Sequence, residues 1–186
     1  MPATIKESEI TLLRQDIPIH LDVFGLEVAH ATIIMRRVAT AESFEINRPD
    51  RCVYVARLGG GVAIEYPRHL SPVIYIGDGN SSDRVSAPVD LLAPFAVRMP
   101  HFLIEADIAQ INPAKDPTLY RSVVTDLLAW FNEEYGTLPW FNQHLTPGTA
   151  GGCAYEEGAR KTLRRHIGIG AGTSYTQTIR PTLNKG

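Results

Sequence analysis

The alternation of apolar and polar residues in the first quarter of the chain predicts strands. Residues 17–23 (IPIHLDV) alternate with a period of two, which is typical of a half-buried strand. Residues 27–44 fit either a helix or a strand, because their apolar positions lie near helical spacing although the run ATIIMRRV also suits a strand. Arg48-Pro49-Asp50 ends this part. We therefore expect an N-terminal extension over residues 1–50.

Two short apolar runs predict a β-hairpin. These are residues 52–56 (CVYVA) and residues 73–76 (VIYI). Gly59-Gly60-Gly61 between them permits a tight turn, since glycine adopts left-handed backbone conformations without steric cost. Residues 62–66 can add a third short strand. The two main strands are thus expected to pair across an insertion.

Downstream of the hairpin, helical and strand patterns follow each other. Residues 118–135 carry apolar side chains at helical spacing, and Gly136 is a natural end for this helix. A helix is also expected to begin near Asp83, to be interrupted at Pro88 and to end by Pro94. A strand is expected over residues 101–111. The C-terminal part is expected to contain a flexible joint over 146–152, a short basic helix over 155–166 and an irregular tail. This order predicts an α+β fold with a small, mostly antiparallel central sheet flanked by helices.

Composition changes this picture in two respects. The chain has 186 residues, 44% of them hydrophobic, which is enough for one domain with a real core. Its net charge is −2, from 18 basic and 20 acidic residues, which excludes a generally basic coat for polyanions. Any surface that binds a polyanion must therefore be a local patch.

Targeting and cysteine patterns point to an intracellular protein. The N-terminus has no apolar signal segment, and the longest apolar runs are too short to cross a bilayer. We therefore expect a cytoplasmic location and no membrane partner. Cys52 and Cys153 form no ligand cluster and are expected to be buried free thiols.

The short basic helix carries the strongest local charge. Arg160 and Arg164, and likewise Lys161 and Arg165, are four residues apart and so share one helix face. Like charges placed this way repel and need a partner or water. A nucleic-acid backbone, an acidic protein surface and plain solvent are all compatible with the sequence.

Several motifs resemble one enzyme family. Val53-Tyr54-Val55 is similar to a "GIY" strand, and Tyr75-Ile76-Gly77 matches a "YIG" strand. Arg84 follows Tyr75 by nine residues, and the long helix runs into Leu138-Pro139-Trp140-Phe141-Asn142. Residues 51–145 thereby resemble the β-β-α-β-α core of the GIY-YIG nuclease superfamily. Residues 1–50 would be an extension of that core, and residues 146–186 a basic helix with a Gly-rich tail.

The resemblance implies cleavage of phosphodiester bonds with a divalent metal, Mg²⁺ or Mn²⁺. It makes Tyr54 the general base toward water, a role that needs nearby positive charge because a free tyrosine has a pKa of about 10. Tyr75 would orient the water or phosphate, and Arg84 would hold phosphate oxygens. Asn142 would anchor the helix end or the substrate backbone. The substrate would be DNA more than RNA.

The sequence also departs from the family pattern. The glutamate that binds the metal in the family falls on Val124, which cannot ligate a hard cation. Asp126 could replace this metal ligand only if the alignment of the long helix with the family is shifted in register. Otherwise Asp126 is expected to be a solvent-facing helix residue. Glu105 or Asp107 on the preceding strand could also supply a carboxylate. Pro88 and Asp78 likewise occupy positions where many members carry other residue types.

Three functions therefore stay open. The first is a divergent metal-dependent endonuclease. The second is a catalytically inactive GIY-YIG-like module that holds nucleic acid or protein through the basic helix. The third is a structural or assembly protein of the α+β class, in which the tyrosine motifs are ordinary strand aromatics and the Gly-rich tail reaches a neighbouring subunit of a homo-oligomer.

Overall fold

A computed structural model of the chain describes residues 4–17, 21–27, 32–37, 53–78, 104–111, 119–143, 152–172 and 174–181. Two α-helices and eleven strands occur in this part, and they confirm the expected α+β class. The helices are α1 (Leu119–Tyr135) and α2 (Glu157–His166), with single 3-10 turns at Glu7–Glu9 and Trp140–Asn142. The strands are β1 (Thr4–Ile5), β2 (Ile10–Ile17), β3 (Leu21–Glu27), β4 (Thr32–Arg37), β5 (Val53–Leu58), β6 (Val62–Glu65), β7 (Leu70–Ser71), β8 (Val73–Asp78), β9 (Ile104–Ile111), β10 (Ala154–Tyr155) and β11 (Gln177–Ile179).

The largest sheet has four strands in the order β2-β9-β5-β8, and each neighbouring pair is antiparallel. The hairpin expected from the two apolar runs is confirmed, since β5 pairs with β8 from Val53 opposite Asp78. On its other side β5 pairs with β9. β2, which belongs to the expected N-terminal extension, is an edge strand of this same sheet.

Smaller strand pairings join distant parts of the chain. β6 and β7 lie in the insertion between β5 and β8, and β11 from the C-terminal tail pairs with β6. The expectation of an irregular tail is therefore wrong for β11. A parallel pair joins β1 to β10, and an antiparallel pair joins β3 to β4. Of the strand expected over 17–23, Ile17 belongs to β2 and residues 21–23 belong to β3, whereas residues 18–20 lie outside the described residues.

The core lies where α1 and α2 meet the strands. Val123, Leu127 and Phe131 recur along one side of α1 and are fully buried. β5 and β8 are buried at nearly every position, which explains why their sequences are continuous apolar runs without polar alternation. α2 contributes Ala159 and Leu163 to the same core.

Arginine side chains stabilise the C-terminal ends of both helices. The last turn of α1 contains no basic residue, although the carbonyl end of a helix carries partial negative charge. Arg68 supplies a cation there by donating to the carbonyl of Glu133, and Arg164 pairs with the Glu134 carboxylate at 3.4 Å. At the end of α2, Arg57 donates from Nη2 to the carbonyl of His166 at 3.4 Å. In the described segments no helix is both long and apolar enough to cross a membrane.

Candidate functional site

The two motif tyrosines lie together on one face of the main sheet. Tyr54 is opposite Gly77, and Tyr75 is opposite Ala56, so the tyrosines are diagonal neighbours across the β5–β8 pair. Their rings stack with centroids 5.7 Å apart and planes inclined by 27°. The side chains are buried, with Tyr54 3% and Tyr75 7% exposed. The sequence motifs thus mark a real pair of phenol rings.

Gly77 leaves the space that these rings occupy. A Cβ atom built at this glycine would lie 2.6 Å from Cε1 of Tyr75 and 2.8 Å from Oη of Tyr54. Contacts below 3.0 Å force neighbouring atoms to move. The glycine of the motif is therefore required by ring packing.

We expect Gly77→Ala to lower the free energy of unfolding by about 1–3 kcal/mol, because the added methyl group overpacks a filled site. Urea unfolding followed by circular dichroism measures the change. The control is the same substitution in a Tyr54→Ala/Tyr75→Ala background, where the space is open and the cost should largely disappear. An unchanged cost in that background would show that ring packing is not the cause.

Asn142 is attached to the strand that carries Tyr75. Its side chain is fully buried; Oδ1 accepts from the backbone N–H of Ile76 at 2.8 Å, and Nδ2 donates to the carbonyl of the same residue at 2.9 Å. Ile76 lies between Tyr75 and Gly77, and β8 is at one end of the sheet order. Asn142 therefore anchors the segment after α1 to the edge of the tyrosine-bearing strand.

Tyr66 is a second link between these elements, although it belongs to no sequence motif. Its hydroxyl donates to the carbonyl of Val73 at 2.6 Å and accepts from the backbone N–H of Trp140 at 3.1 Å. Burial raises the pKa of this hydroxyl well above its usual value. Tyr66 is thus a neutral packing residue that joins the insertion to β8 and to the turn that contains Asn142.

Asp126 has a different environment from the one expected. The side chain is 1% exposed, so the expectation of a solvent-facing helix residue is wrong. Its carboxylate accepts hydrogen bonds from the backbone N–H groups of Gly152 at 3.3 Å and Cys153 at 3.2 Å, and from Oη of Tyr155 at 2.7 Å. Burial, followed by the hydrogen bond to Asp126, raises the pKa of the Tyr155 hydroxyl. Asp126 thereby fastens the chain before α2 to α1.

The carboxylates that could supply a metal ligand have protein partners in the described part of the chain. Both Asp126 oxygens already accept hydrogen bonds, so a metal bound there would share the carboxylate with the Gly152, Cys153 and Tyr155 donors. Asp107 is only 6% exposed and forms an ion pair with Nη1 of Arg57 at 2.9 Å. Across the described ranges no cluster of three or more His, Cys, Asp or Glu side chains could hold a metal ion.

The other residues singled out by the resemblance lie at half-buried positions or outside the described residues. Val124, where the resemblance would put the metal-binding glutamate, is half-buried and packs against the hydrophobic core. Glu105 is half-buried on β9, and Asp78 is half-buried at the end of β8. Arg84 and Pro88 lie outside the described residues, as does the helix expected near Asp83.

The basic residues of α2 divide into two groups. The guanidinium carbon of Arg160 lies 5.4 Å from the centre of the Trp130 ring, and Arg164 pairs with Glu134, so both face α1. Lys161 and Arg165 are exposed one helical turn apart. On the basic helix, Arg160 and Arg164 therefore contact side chains of α1, and Arg160, Lys161 and Arg165 are all exposed.

The sequence indicated Asp107 as a possible metal ligand but did not predict its ion pair with Arg57. Both residues lie within strands of the main sheet, on β5 and β9, and Val55 is the register partner of Asp107. The available signal was a charged residue inside each apolar strand, because such a residue needs a charged or hydrogen-bonding partner when buried. Cys153 is half-buried, whereas Cys52 lies outside the described residues.

Comparisons with known proteins were made at the level of family, sequence and fold. No family model, no curated protein and no solved structure matches the chain.

Proposed function

We propose that this chain is a GIY-YIG-like module that binds nucleic acid through α2 and does not cleave it. The strand arrangement supports the resemblance. β5, with Tyr54, lies between β8, with Tyr75, and β9, and α1 follows β9 along the chain. The contacts of the stacked tyrosines and Gly77 with one another, and of Asn142 with β8, are what support this proposal.

The observation that carries the binding function is the exposed cation pair on α2. Lys161 and Arg165 are exposed, and Arg160, also exposed, lies over Trp130 at their side. A planar guanidinium next to an aromatic ring and two further cations suits a phosphate backbone, which is bound mainly by Lys and Arg. With a net charge of −2, the chain needs such a local patch to attract a polyanion.

The absence of cleavage is proposed from the carboxylate chemistry. Asp126, the carboxylate nearest to the family's metal position in the sequence, accepts hydrogen bonds from the segment that leads into α2. Asp107 is paired with Arg57. These groups have structural partners, so we assign them to stability and not to a hydrolytic step.

Binding is tested by fluorescence anisotropy with labelled duplex DNA and RNA of one sequence, over a range of salt concentrations. We expect Lys161→Glu/Arg165→Glu to weaken binding by at least about tenfold. The slope of log affinity against log salt should fall by about 2 units, because about 0.9 unit is lost for each phosphate contact. Arg121→Glu, an exposed arginine in the first turn of α1, is the matched control and should bind as the unmodified chain does. Equal affinity of the double variant and the control would overturn the proposal.

A metal-dependent endonuclease is the second candidate, and the stacked tyrosine pair is the observation that favours it. Such an enzyme would need a metal ligand and the phosphate-binding Arg84 from outside the described residues. Incubation of plasmid DNA with Mg²⁺ or Mn²⁺ separates the two proposals. Cleavage that disappears in both Tyr75→Phe and Arg84→Ala would establish the enzyme, and binding without cleavage would leave the binding module.

A further inference from the structure

Two aromatic side chains lie side by side on the 3-10 turn that follows α1. The rings of Trp140 and Phe141 stack with centroids 5.2 Å apart and planes inclined by 27°. Both residues are half-buried and pack against the hydrophobic core with part of their surface, so the remainder is open to solvent. Aromatic rings at a protein surface are the groups on which unpaired bases of nucleic acids stack.

Hydrogen bonds fix the backbone of this turn. The N–H of Trp140 donates to Oη of Tyr66 at 3.1 Å, and the N–H of Asn142 donates to the carbonyl of Pro139 at 2.8 Å. The Asn142 side chain in turn holds β8. The ring pair is therefore preorganised, and little conformational freedom is lost when a ligand stacks on it.

An exposed cation lies on a segment next to the turn. Cγ and Nε of Arg68 are 3.2 Å and 3.3 Å from the position of a Cβ atom built at Gly136, which precedes Trp140 by four residues. Tyr66, which accepts the hydrogen bond from Trp140, is two residues before Arg68. A guanidinium beside a stacking surface suits a nucleotide, because a nucleotide presents both a phosphate and a base.

The basic helix α2 is within reach of the same turn. Arg164 pairs with Glu134 at 3.4 Å, and Trp140 follows Glu134 by six residues, which span at most about 22 Å when fully extended. Lys161 and Arg165, the exposed cations of the proposed interface, are on the same helix as Arg164. One nucleic-acid strand is therefore long enough to contact α2 and the turn together.

We propose that the Trp140–Phe141 pair stacks on an unpaired base, so that the ligand class is single-stranded nucleic acid and not intact duplex. This inference rests on the nucleic-acid binding proposed for α2 and adds the class of strand that is bound. The bases of a duplex are already stacked on their neighbours, and reaching one requires unstacking and unpairing it. Because every base has a π-face, we expect a preference for single strands with little dependence on sequence.

Tryptophan fluorescence tests the stacking, because the chain has two tryptophans and the other one, Trp130, is only 5% exposed. Single-stranded DNA or RNA of one sequence should quench the emission of the unmodified chain, and the two titrations show which sugar the surface accepts. Trp130→Phe should keep this quenching, and Trp140→Phe should lose most of it. Quenching that persists in Trp140→Phe, or no quenching of the unmodified chain at saturation, would contradict the stacking.

Affinity measurements separate this inference from the proposed function. A single strand should bind at least about tenfold more tightly than its duplex, and Trp140→Leu/Phe141→Leu should remove most of that preference. The slope of log affinity against log salt should stay unchanged in this variant, because the phosphate contacts of α2 remain. Gln143→Ala, at an exposed neighbouring position, is the control and should keep the preference.

The outcomes of the affinity experiment are distinct. Equal affinity of the unmodified chain for single strand and duplex would overturn this inference alone. No binding of either would overturn the proposed function as well. Circular dichroism shows whether the double variant folds, and the fluorescence experiment, which keeps an aromatic ring at each position, decides the question if it does not.

Discussion

Asn142→Ala is expected to lower the free energy of unfolding by about 3 kcal/mol. The substitution leaves the N–H and the carbonyl of Ile76 without the amide that binds both, in a fully buried place. Each unsatisfied buried polar group costs about 1–3 kcal/mol, and the removed side chain also leaves a small cavity. Chemical unfolding followed by tryptophan fluorescence and circular dichroism measures this loss.

Two further variants make the Asn142 experiment specific. Asn142→Asp keeps the size and the acceptor but loses the donor to the Ile76 carbonyl, so it should destabilise the fold at least as much as alanine does. Gln143→Ala changes the exposed next residue and should stay within about 0.5 kcal/mol of the unmodified chain. If Asn142→Asp were neutral, the donated hydrogen bond would have no energetic role.

Asp126→Ala is expected to cost about 3–4 kcal/mol and to release the segment before α2. The change removes a buried acceptor from two backbone N–H groups and from the Tyr155 hydroxyl. Hydrogen bonds to a charged group contribute about 1.5–3 kcal/mol each, although such contributions are not additive. Because Trp130 contacts Tyr155 edge to face with ring centroids 5.1 Å apart, its fluorescence should report the release.

A double-mutant cycle and a metal titration define the role of Asp126. Asp126→Asn combined with Tyr155→Phe should show a coupling energy of about 1–3 kcal/mol, because the two side chains share one hydrogen bond. A structural role also predicts that Mg²⁺ and Mn²⁺ shift the melting temperature of the unmodified chain and of Asp126→Asn by the same amount. Stabilisation by metal in the unmodified chain alone would identify Asp126 as a ligand.

The sequence predicted the parts of the fold that local pattern controls. Helical spacing over 118–135 located α1, which spans Leu119–Tyr135, and two apolar runs located the β5–β8 pair. The pairing of β11 with β6 was not predictable, because three residues carry no periodic signal and their partner lies more than 110 residues away. The pattern around β4 did not decide between a helix and a strand, because its apolar residues fit both periods.

The candidate site was predictable where a motif names the residue. Tyr54, Tyr75 and Asn142 were identified from the motif resemblance, and they lie on or against adjacent strands. The environment of Asp126 was not predictable, because its three donors come from residues 26 to 29 positions later in the chain. Such a contact depends on how the segment after the flexible joint folds back, and neither helical periodicity nor motif spelling carries that information.

The Asn142 amide also affects how the molecule behaves toward other proteins. The outer edge of a terminal strand exposes backbone groups that foreign chains can use to extend a sheet, and natural proteins protect such edges from aggregation. By satisfying both backbone groups of Ile76, Asn142 removes one complete pairing position from the outer side of β8. Loss of this side chain would therefore expose an additional backbone donor and acceptor on β8 to a foreign strand, besides lowering the stability of the fold.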